Sequence, residues 1–329
     1  MLNLVINEWN KVFFRSSNYV TLIVILGTSA LLSLMPLLFN DGFAFEDISY
    51  GKDWQEQAAN QVTTLEEENI KLLTSESEVS FDNEFTASVN QDEIDRLNYH
   101  LKEVIKPPAT NNLYGSLVGT SRLILLISIF VTIIASAMVS KEFSMGTIKL
   151  LLIRSYSRSQ ILTSKYIATL LLTLTYYMSL YVSTIIVAIF TSEINTTAEY
   201  VYMSSDSTYM HSNFLLYFLG MLASNIIYLV IIATIAFTLS TISRNTSLSL
   251  GTTLGLLFLG PTLMFYLSLK TALAKYLLMA NWDLTNYLPG NSPSMEGMTL
   301  TFSMIINGLY LFLLVFAAYY SFNKKDILA

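Results

Sequence analysis

The sequence predicts an all-α polytopic membrane protein with six transmembrane helices. Of its 329 residues, 53% are hydrophobic and only 13% are charged, whereas soluble domains carry roughly 25% charged residues. The charge is also unevenly distributed, because most of the acidic residues lie in one block at 41–106 and long stretches elsewhere have almost none. A stretch of about 20 apolar residues is long enough to cross roughly 30 Å of hydrocarbon as a helix.

Six predominantly apolar stretches of this kind divide the chain. We predict transmembrane helices at residues 18–39, 117–139, 165–191, 214–242, 248–269 and 302–322. The segments that connect or follow them are 40–116, 140–164, 192–213, 243–247, 270–301 and 323–329. The segment 270–301 is expected to be re-entrant or to lie on the membrane surface.

Residues 1–17 form a predicted amphipathic helix ahead of the first span. Glu8, Lys11 and Arg15 recur at i, i+3 and i+7 and therefore share one helix face. The apolar residues that recur at helical spacing on another face are Leu2, Val5, Ile6, Trp9, Val12 and Phe13. Because a span follows directly, an interfacial helix on the membrane is favoured over a soluble core helix.

The acidic segment 40–116 predicts a mainly helical domain outside the bilayer. Asp53–Thr74 and Gln91–Ile105 are expected to be helical, whereas disorder is the alternative for the acidic, Ser-rich stretch Ser75–Asn90. A sparse apolar stripe on the second helix consists of Leu97, Leu101, Val104 and Ile105.

The distribution of Lys and Arg predicts the orientation. If the N-terminus is cytoplasmic, the inner segments hold ten of the 18 Lys and Arg residues, and five of these ten lie within 140–165. The acidic residues sort the other way, since 21 of the 24 then lie outside. We therefore expect both termini to be cytoplasmic.

The most informative stretch is the predicted cytoplasmic loop Ser140–Lys165. Gly146 permits a turn after the second span, and Thr147–Ile153 predicts a short apolar helix. Ser157 and Gln160 have the spacing of a capping box, which predicts that a new helix begins at Arg158. A short apolar helix in such a place is suited either to a protein partner or to the bilayer surface.

This loop resembles the first cytoplasmic loop of type-2 ABC-transporter permeases. The resemblance rests on Glu142, Gly146-Thr147, the apolar run to Ile153, Ser157-Arg158 and Lys165. It extends to the N-terminal amphipathic helix, the order of six spans and the basic C-terminus. One departure is Ser155-Tyr156, which stands where the family often has proline.

The resemblance implies a coupling helix that docks onto a separate cytoplasmic ATPase. ATP and Mg would then bind the ATPase, and this chain would be neither an enzyme by itself nor the holder of a cofactor. The implied cargo is an amphipathic peptide, a lipid-like molecule or a drug, and members with an outer domain after the first span include peptide-export and antibiotic-immunity permeases. The residues expected to form the ATPase contact are Glu142, Gly146, Thr147, Lys149, Leu151, Arg154, Ser157 and Arg158.

A second permease copy, or a related permease, is the other partner that the resemblance implies. Ser247, Gly251 and Gly255 recur every four residues in the fifth span and form a flat strip on which another helix can pack closely. The strip suits a helix of the same chain equally well. The resemblance favours the interface, because type-2 permeases meet through their first and fifth spans.

The sequence lacks the motifs of several common catalytic and nucleotide-binding sites. The chain contains no cysteine, no phosphate-cradling G-x-x-x-x-G-K-[ST] and no G-x-S-x-G motif. Its two histidines, His100 and His211, are expected to be solvated on the surface, and no metal site or nucleic-acid partner is predicted.

The alternative function is an ATP-independent carrier, or an immunity protein that binds its target through the acidic outer domain. Membrane lipids are expected partners for the permease and for this alternative.

Overall fold

The structure, a computed structural model, describes residues 1–38, 50–74, 81–109, 112–147, 156–192, 199–204 and 206–324. Its helices, numbered in chain order, are α1 (Leu2–Phe13), α2 (Ser16–Leu38), α3 (Trp54–Thr74), α4 (Phe81–Glu103), α5 (Leu113–Thr120), α6 (Ile124–Ser144), α7 (Arg158–Thr191), α8 (Phe214–Ser243), α9 (Thr246–Ser268), α10 (Leu278–Asn281) and α11 (Leu300–Lys324). Single 3₁₀ turns lie at Ser121–Leu123, Ala272–Tyr276 and Leu284–Tyr287. The strands β1 (Glu199–Met203) and β2 (Tyr209–Asn213) form one antiparallel hairpin.

Within the described residues, six helical stretches are long and apolar enough to cross a membrane. They are Ser16–Leu34, Leu113–Ser144, Arg158–Thr191, Phe214–Ser243, Thr246–Ser268 and Leu300–Lys324. The prediction of an all-α polytopic membrane protein is therefore confirmed. Several of these helices extend beyond the predicted spans, because polar residues at a helix end can lengthen the helix without adding to its apolar stretch.

The chain folds into two compact units. Unit 1 comprises Met1–Leu32, Gly119–Thr184 and Phe218–Ala329, and unit 2 comprises Ser33–Val118 and Ile185–Tyr217. Unit 1 therefore holds α1 and most of the membrane-spanning helices, whereas unit 2 holds the α3–α4 pair and the β-hairpin.

Small hydroxyl side chains join α6, α8 and α9 in unit 1. The Ser240 Oγ donates a hydrogen bond to the Ser136 carbonyl at 2.7 Å and accepts one from the Ser140 amide at 3.0 Å. The Ser249 Oγ donates to the Ala236 carbonyl at 2.7 Å. Such residues let helix backbones approach closely where lipid removes the hydrophobic drive for association.

The segment between α9 and α11 is folded and packed against both helices. Asn281 is fully buried. Its side-chain Oδ1 accepts a hydrogen bond from the Ser303 hydroxyl at 2.7 Å, and its backbone carbonyl accepts one from Asn307 Nδ2 at 2.7 Å. Trp282 lies so close to α9 that a Cβ at Gly260 would come within 3.0 Å of its ring. A larger residue at position 260 would therefore require the Trp282 ring to shift by a few tenths of an ångström.

Unit 2 is built on the antiparallel pair α3 and α4. Its core contains Ala58 and Val62 of α3 facing Ile94 and Leu97 of α4, all buried. The prediction of a helical outer domain is consistent with this pair, but α4 begins at Phe81, so the disorder alternative is wrong for residues 81–90. Residues 75–80 lie outside the described residues.

The β-hairpin is the element that sequence analysis missed, because 192–213 was predicted only as a loop. It packs on α4, where the Tyr209 hydroxyl donates to the Asp92 carbonyl at 2.9 Å and the Tyr99 hydroxyl lies 2.9 Å from His211 Nδ1. The alternating aromatic and apolar residues of 199–203 are typical of a strand. Ser207, with a φ of +58°, supplies the turn between the strands.

His100 is a second correction, since it is 1% exposed instead of solvated. It lies one turn after buried Leu97 on the same face of α4. His100 is therefore part of the buried stripe of this helix, in which Val104 had been expected. Val104 is instead 66% exposed, with a φ of +55° where α4 ends. The Nδ1 of His100 lies 3.0 Å from the Ile105 carbonyl, and its Nε2 has no hydrogen-bond partner among the described residues.

Burial lowers the pKa of His100 to about 4. A carbonyl can only accept, so the neutral ring donates from Nδ1 and keeps Nε2 unprotonated. The unfolded chain, with a pKa near 6.5, binds more protons between pH 6.5 and 4 than the folded chain does. The free energy of unfolding is therefore not reduced by His100 above about pH 6.5, and it decreases as the pH falls from 6.5 toward 4.

We predict that acidification from pH 7 to pH 5 weakens the α3–α4 pair by about 2 kcal/mol. Hydrogen exchange of α3 and α4 in the full-length protein, corrected for intrinsic rates, measures this change. His100→Leu should remove the pH response, whereas the control His211→Gln should retain it. A His100→Leu protein that responds to pH as strongly as the wild type would contradict the assignment.

Candidate functional site

A buried cluster of charged side chains joins α1, α6 and α7 in unit 1. The Lys165 side chain is 1% exposed, and its Nζ lies 2.7 Å from Glu8 Oε2 and 3.3 Å from Glu142 Oε1. Glu142 also accepts a hydrogen bond from Lys11 Nζ. Two carboxylates therefore face two ammonium groups, and the cluster is neutral.

Burial requires that the charges of this cluster be paired. The Glu142 and Glu8 side chains are 5% and 12% exposed, whereas that of Lys11 is 52% exposed and reaches solvent. An ammonium group as deeply buried as that of Lys165 is stable only when it is paired, because desolvation of an ion costs several kcal/mol. Lys165 therefore holds α1 against α6 and α7.

The chain leaves α6 through a glycine turn beside this cluster. Gly146 has a φ of +68°, and its amide donates to the Phe143 carbonyl at 3.1 Å. Glycine adopts this left-handed conformation without steric cost and commonly ends helices in this way. The Thr147 hydroxyl donates back to Glu142 Oε2, so the predicted turn is tied to the charge cluster.

The chain enters α7 through the predicted capping box, which is confirmed. The Ser157 amide donates to Gln160 Oε1 at 3.0 Å, and the Gln160 amide donates to Ser157 Oγ at 3.2 Å. The helix begins at Arg158, as predicted. Arg158 Nη1 also donates to the Asn323 carbonyl at 3.3 Å, which links this entry to the end of α11.

The structure thus brings some of the predicted coupling residues together. Glu142, Gly146 and Thr147 form one connected turn, and Ser157 and Arg158 lie at the start of α7. Lys149, Leu151 and Arg154 lie outside the described residues. Glu142 pairs with Lys165 at the start of α7 and with Lys11 of α1.

Sequence analysis did not find Glu8 and Lys11 as partners of this loop. A signal was present, because Glu8 and Glu142 are two of only three acidic residues in the predicted inner segments. A lone acid among many bases at a membrane boundary indicates an ion pair. The identity of the pair was hidden because 131 positions separate Lys11 from Glu142.

The predicted interface strip lies on an open face of α9. Ser247 and Gly251 are exposed and Gly255 is half-buried. Apart from adjacent residues and the backbone of α9 itself, no described atom comes within 4 Å of a Cβ built at either glycine. The opposite face is buried through Ser249, Thr253 and Leu257. Another helix of the described chain therefore does not cover the strip.

Comparisons with known proteins assign the chain to a family and give relatives, one of which is described as a membrane protein. The six apolar helices define a multi-pass membrane protein. The chain belongs to the family described as "Protein of unknown function (DUF2705)", which matches residues 82–328. A similar protein of Bacillus subtilis (strain 168), "Uncharacterized protein YhcI", is 32% identical over 334 residues that cover 99% of both chains. "Uncharacterized membrane protein YdbK" of the same strain is 26% identical over 225 residues, which cover 68% of this chain and 87% of that protein.

We predict that Glu142→Gln destabilises the full-length protein by about 3–5 kcal/mol, because it leaves one excess buried positive charge. Denaturant unfolding in detergent measures the loss. The control Glu103→Gln removes the acid of the exposed Lys102–Glu103 pair, whose N–O distance is 3.8 Å, and should cost at most about 1 kcal/mol.

A double-mutant cycle separates charge pairing from packing. In Glu142→Gln/Lys165→Met, the cluster keeps one negative charge, on Glu8, and one positive charge, on Lys11, and is still neutral. The double variant should therefore be more stable than the sum of the single losses predicts. Strictly additive losses would mean that Glu142 and Lys165 do not stabilise each other.

Proposed function

We propose that this chain is the permease subunit of a type-2 ABC exporter, which moves an amphipathic peptide, a lipid-like molecule or a drug. The observation that carries the proposal is the charge cluster, because it connects both ends of the loop 140–164 to the N-terminal helix. Glu142 and Thr147 lie where the chain enters the loop, Lys165 lies just after it, and Glu8 and Lys11 belong to α1.

The cluster supports this function for a mechanical reason. A partner that pushes on a loose loop moves only that loop. A partner that pushes on a loop whose two ends are joined by buried ion pairs displaces α1, α6 and α7 together, because breaking such a pair costs several kcal/mol. In the proposed transporter, nucleotide-driven movement of the ATPase would reach the spans through this connection.

The chemistry of ATP hydrolysis is assigned to a separate chain. This sequence contains no G-x-x-x-x-G-K-[ST] motif, whose backbone amides would cradle the phosphates. We accordingly propose that ATP and Mg bind a cytoplasmic ATPase partner, that both termini of this chain are cytoplasmic, and that the chain lies in the bacterial cytoplasmic membrane. The basic residues of 140–165 support that orientation.

We predict that the chain copurifies from its native membranes with a protein that carries a P-loop motif. The purified complex should hydrolyse ATP, whereas this chain alone should not. Leu151→Asp places an unpaired charge in the proposed contact and should abolish copurification, since such changes cost a few kcal/mol. ATPase activity and immunoblotting of the partner are the measurements.

The matched control is Leu273→Asp, an equally drastic change at a leucine that is 71% exposed in the segment between α9 and α11. It should leave the complex intact. Retained assembly and ATP hydrolysis in Leu151→Asp would contradict docking at this loop. Membrane activity in the complete absence of an ATPase would instead favour an ATP-independent carrier or immunity protein.

We further propose that two permeases meet through α9. Cysteine introduced at Gly255 of this cysteine-free chain should crosslink two copies, or a copy and a related permease carrying the equivalent cysteine. Gly308 of α11 is the control, because it is exposed and its built Cβ also has no described atom within 4 Å beyond adjacent residues and its own helix backbone.

Gly251→Leu and Gly255→Leu should separate the permeases while leaving the monomer inserted, whereas Gly308→Leu should not. Crosslinking mass spectrometry and size-exclusion chromatography in detergent measure both effects. Efficient crosslinking at Gly308 with none at Gly255 would remove α9 from the interface.

A further inference from the structure

A cavity of about 400 Å³ opens beside the charge cluster of unit 1. Its lining comes from α1, α2, α6 and α7. One wall is apolar and is formed by α6 through Phe130, Ile133, Ile134 and Ala137. Such a volume is within the range of cavities that hold small ligands.

The lining also carries basic groups near the ends of α1 and α6. Glu8 and Glu142 are paired with Lys165 and Lys11, but Arg15 and Lys141 have no ion pair among the described residues. Lys141 lies close enough to both Arg15 and Lys11 to be repelled by them. The cavity therefore combines an apolar wall with an excess of positive charge.

The polar groups next to the apolar wall already have partners. Asn18 is 3% exposed, its Nδ2 donates to the Phe13 carbonyl at 2.9 Å, and its Oδ1 accepts from the Tyr176 hydroxyl. The Thr21 hydroxyl donates to the Ser17 carbonyl at 3.1 Å. A ligand there does not need to supply hydrogen bonds, so hydrocarbon is suitable.

We propose that this cavity binds one anionic phospholipid of the surrounding membrane. The phosphate lies between Arg15 and Lys141, two cations that no described carboxylate neutralises, and accepts charge-assisted hydrogen bonds from them. An acyl chain lies along the apolar wall of α6. Basic cavities between transmembrane helices are a recognised arrangement for anionic headgroups. The inference depends on membrane insertion and not on the proposed transport function.

Native mass spectrometry of the full-length protein tests the site directly, because it identifies and counts retained lipids. The protein is taken from nanodiscs that contain phosphatidylglycerol and phosphatidylcholine with identical acyl chains. We expect one phosphatidylglycerol to be retained in preference to phosphatidylcholine. Arg15→Gln/Lys141→Gln should weaken its binding about 30-fold, which corresponds to about fivefold for each cation near a membrane surface.

The charge-matched control is Lys270→Gln/Lys275→Gln, which removes two lysines that lie near the rings of Tyr266 and Tyr276, outside the cavity. It should leave lipid retention unchanged. A second variant, Ala137→Phe, fills the apolar wall without changing charge and should also reduce retention. Size-exclusion chromatography of each variant in detergent establishes that it is folded.

Each remaining outcome is decisive. Equal retention of phosphatidylglycerol and phosphatidylcholine would overturn recognition of an anionic headgroup. Competition by millimolar inorganic phosphate, with full retention in Ala137→Phe, would show an anion site without an acyl chain and would overturn the lipid assignment. Equal loss of binding in the Lys270→Gln/Lys275→Gln control would show attraction by overall charge only.

Discussion

Burial of the Lys165 ammonium constrains much of unit 1. This group is almost inaccessible to solvent, so its position depends on the two carboxylates beside it. One carboxylate comes from α1 and the other from the end of α6, which means that three separate parts of the chain must arrive together. Because an unpaired buried charge is costly, a conformation in which any one of them moves away is strongly disfavoured.

The same cluster connects local turns with the membrane-spanning helices. Thr147 returns to Glu142 after the glycine turn, and the capping box at Ser157 sets the start of the helix that carries Lys165. A loop whose two ends are held in this way is suited to receive force from a partner, and this is why the permease proposal rests on it. Glu8 and Glu142 pair with Lys165 and Lys11, whereas Arg15 and Lys141, which line the adjoining cavity, have no ion pair among the described residues.

Elsewhere in unit 1, small polar side chains position the helices. Ser136, Ser240 and Ser249 exchange hydrogen bonds across α6, α8 and α9, and all three are fully buried. Since lipid is as apolar as leucine, close packing and such hydrogen bonds hold these helices together. The glycine strip of α9 lies away from this contact, which leaves it available to another helix.

Much of the fold was predictable because its signals are local. Six apolar stretches, the capping box at Ser157 and Gln160 and the turn at Gly146 each depend on a few neighbouring residues, and composition or spacing identifies them. The partners of Glu142, the burial of His100 and the packing of the β-hairpin on α4 were decided only by tertiary structure. Each of these involves residues brought together from distant positions, or a polar residue on a buried face. The sequence specifies which residues are charged or apolar. Only the tertiary structure determines which charged side chains are desolvated by burial and must therefore form ion pairs.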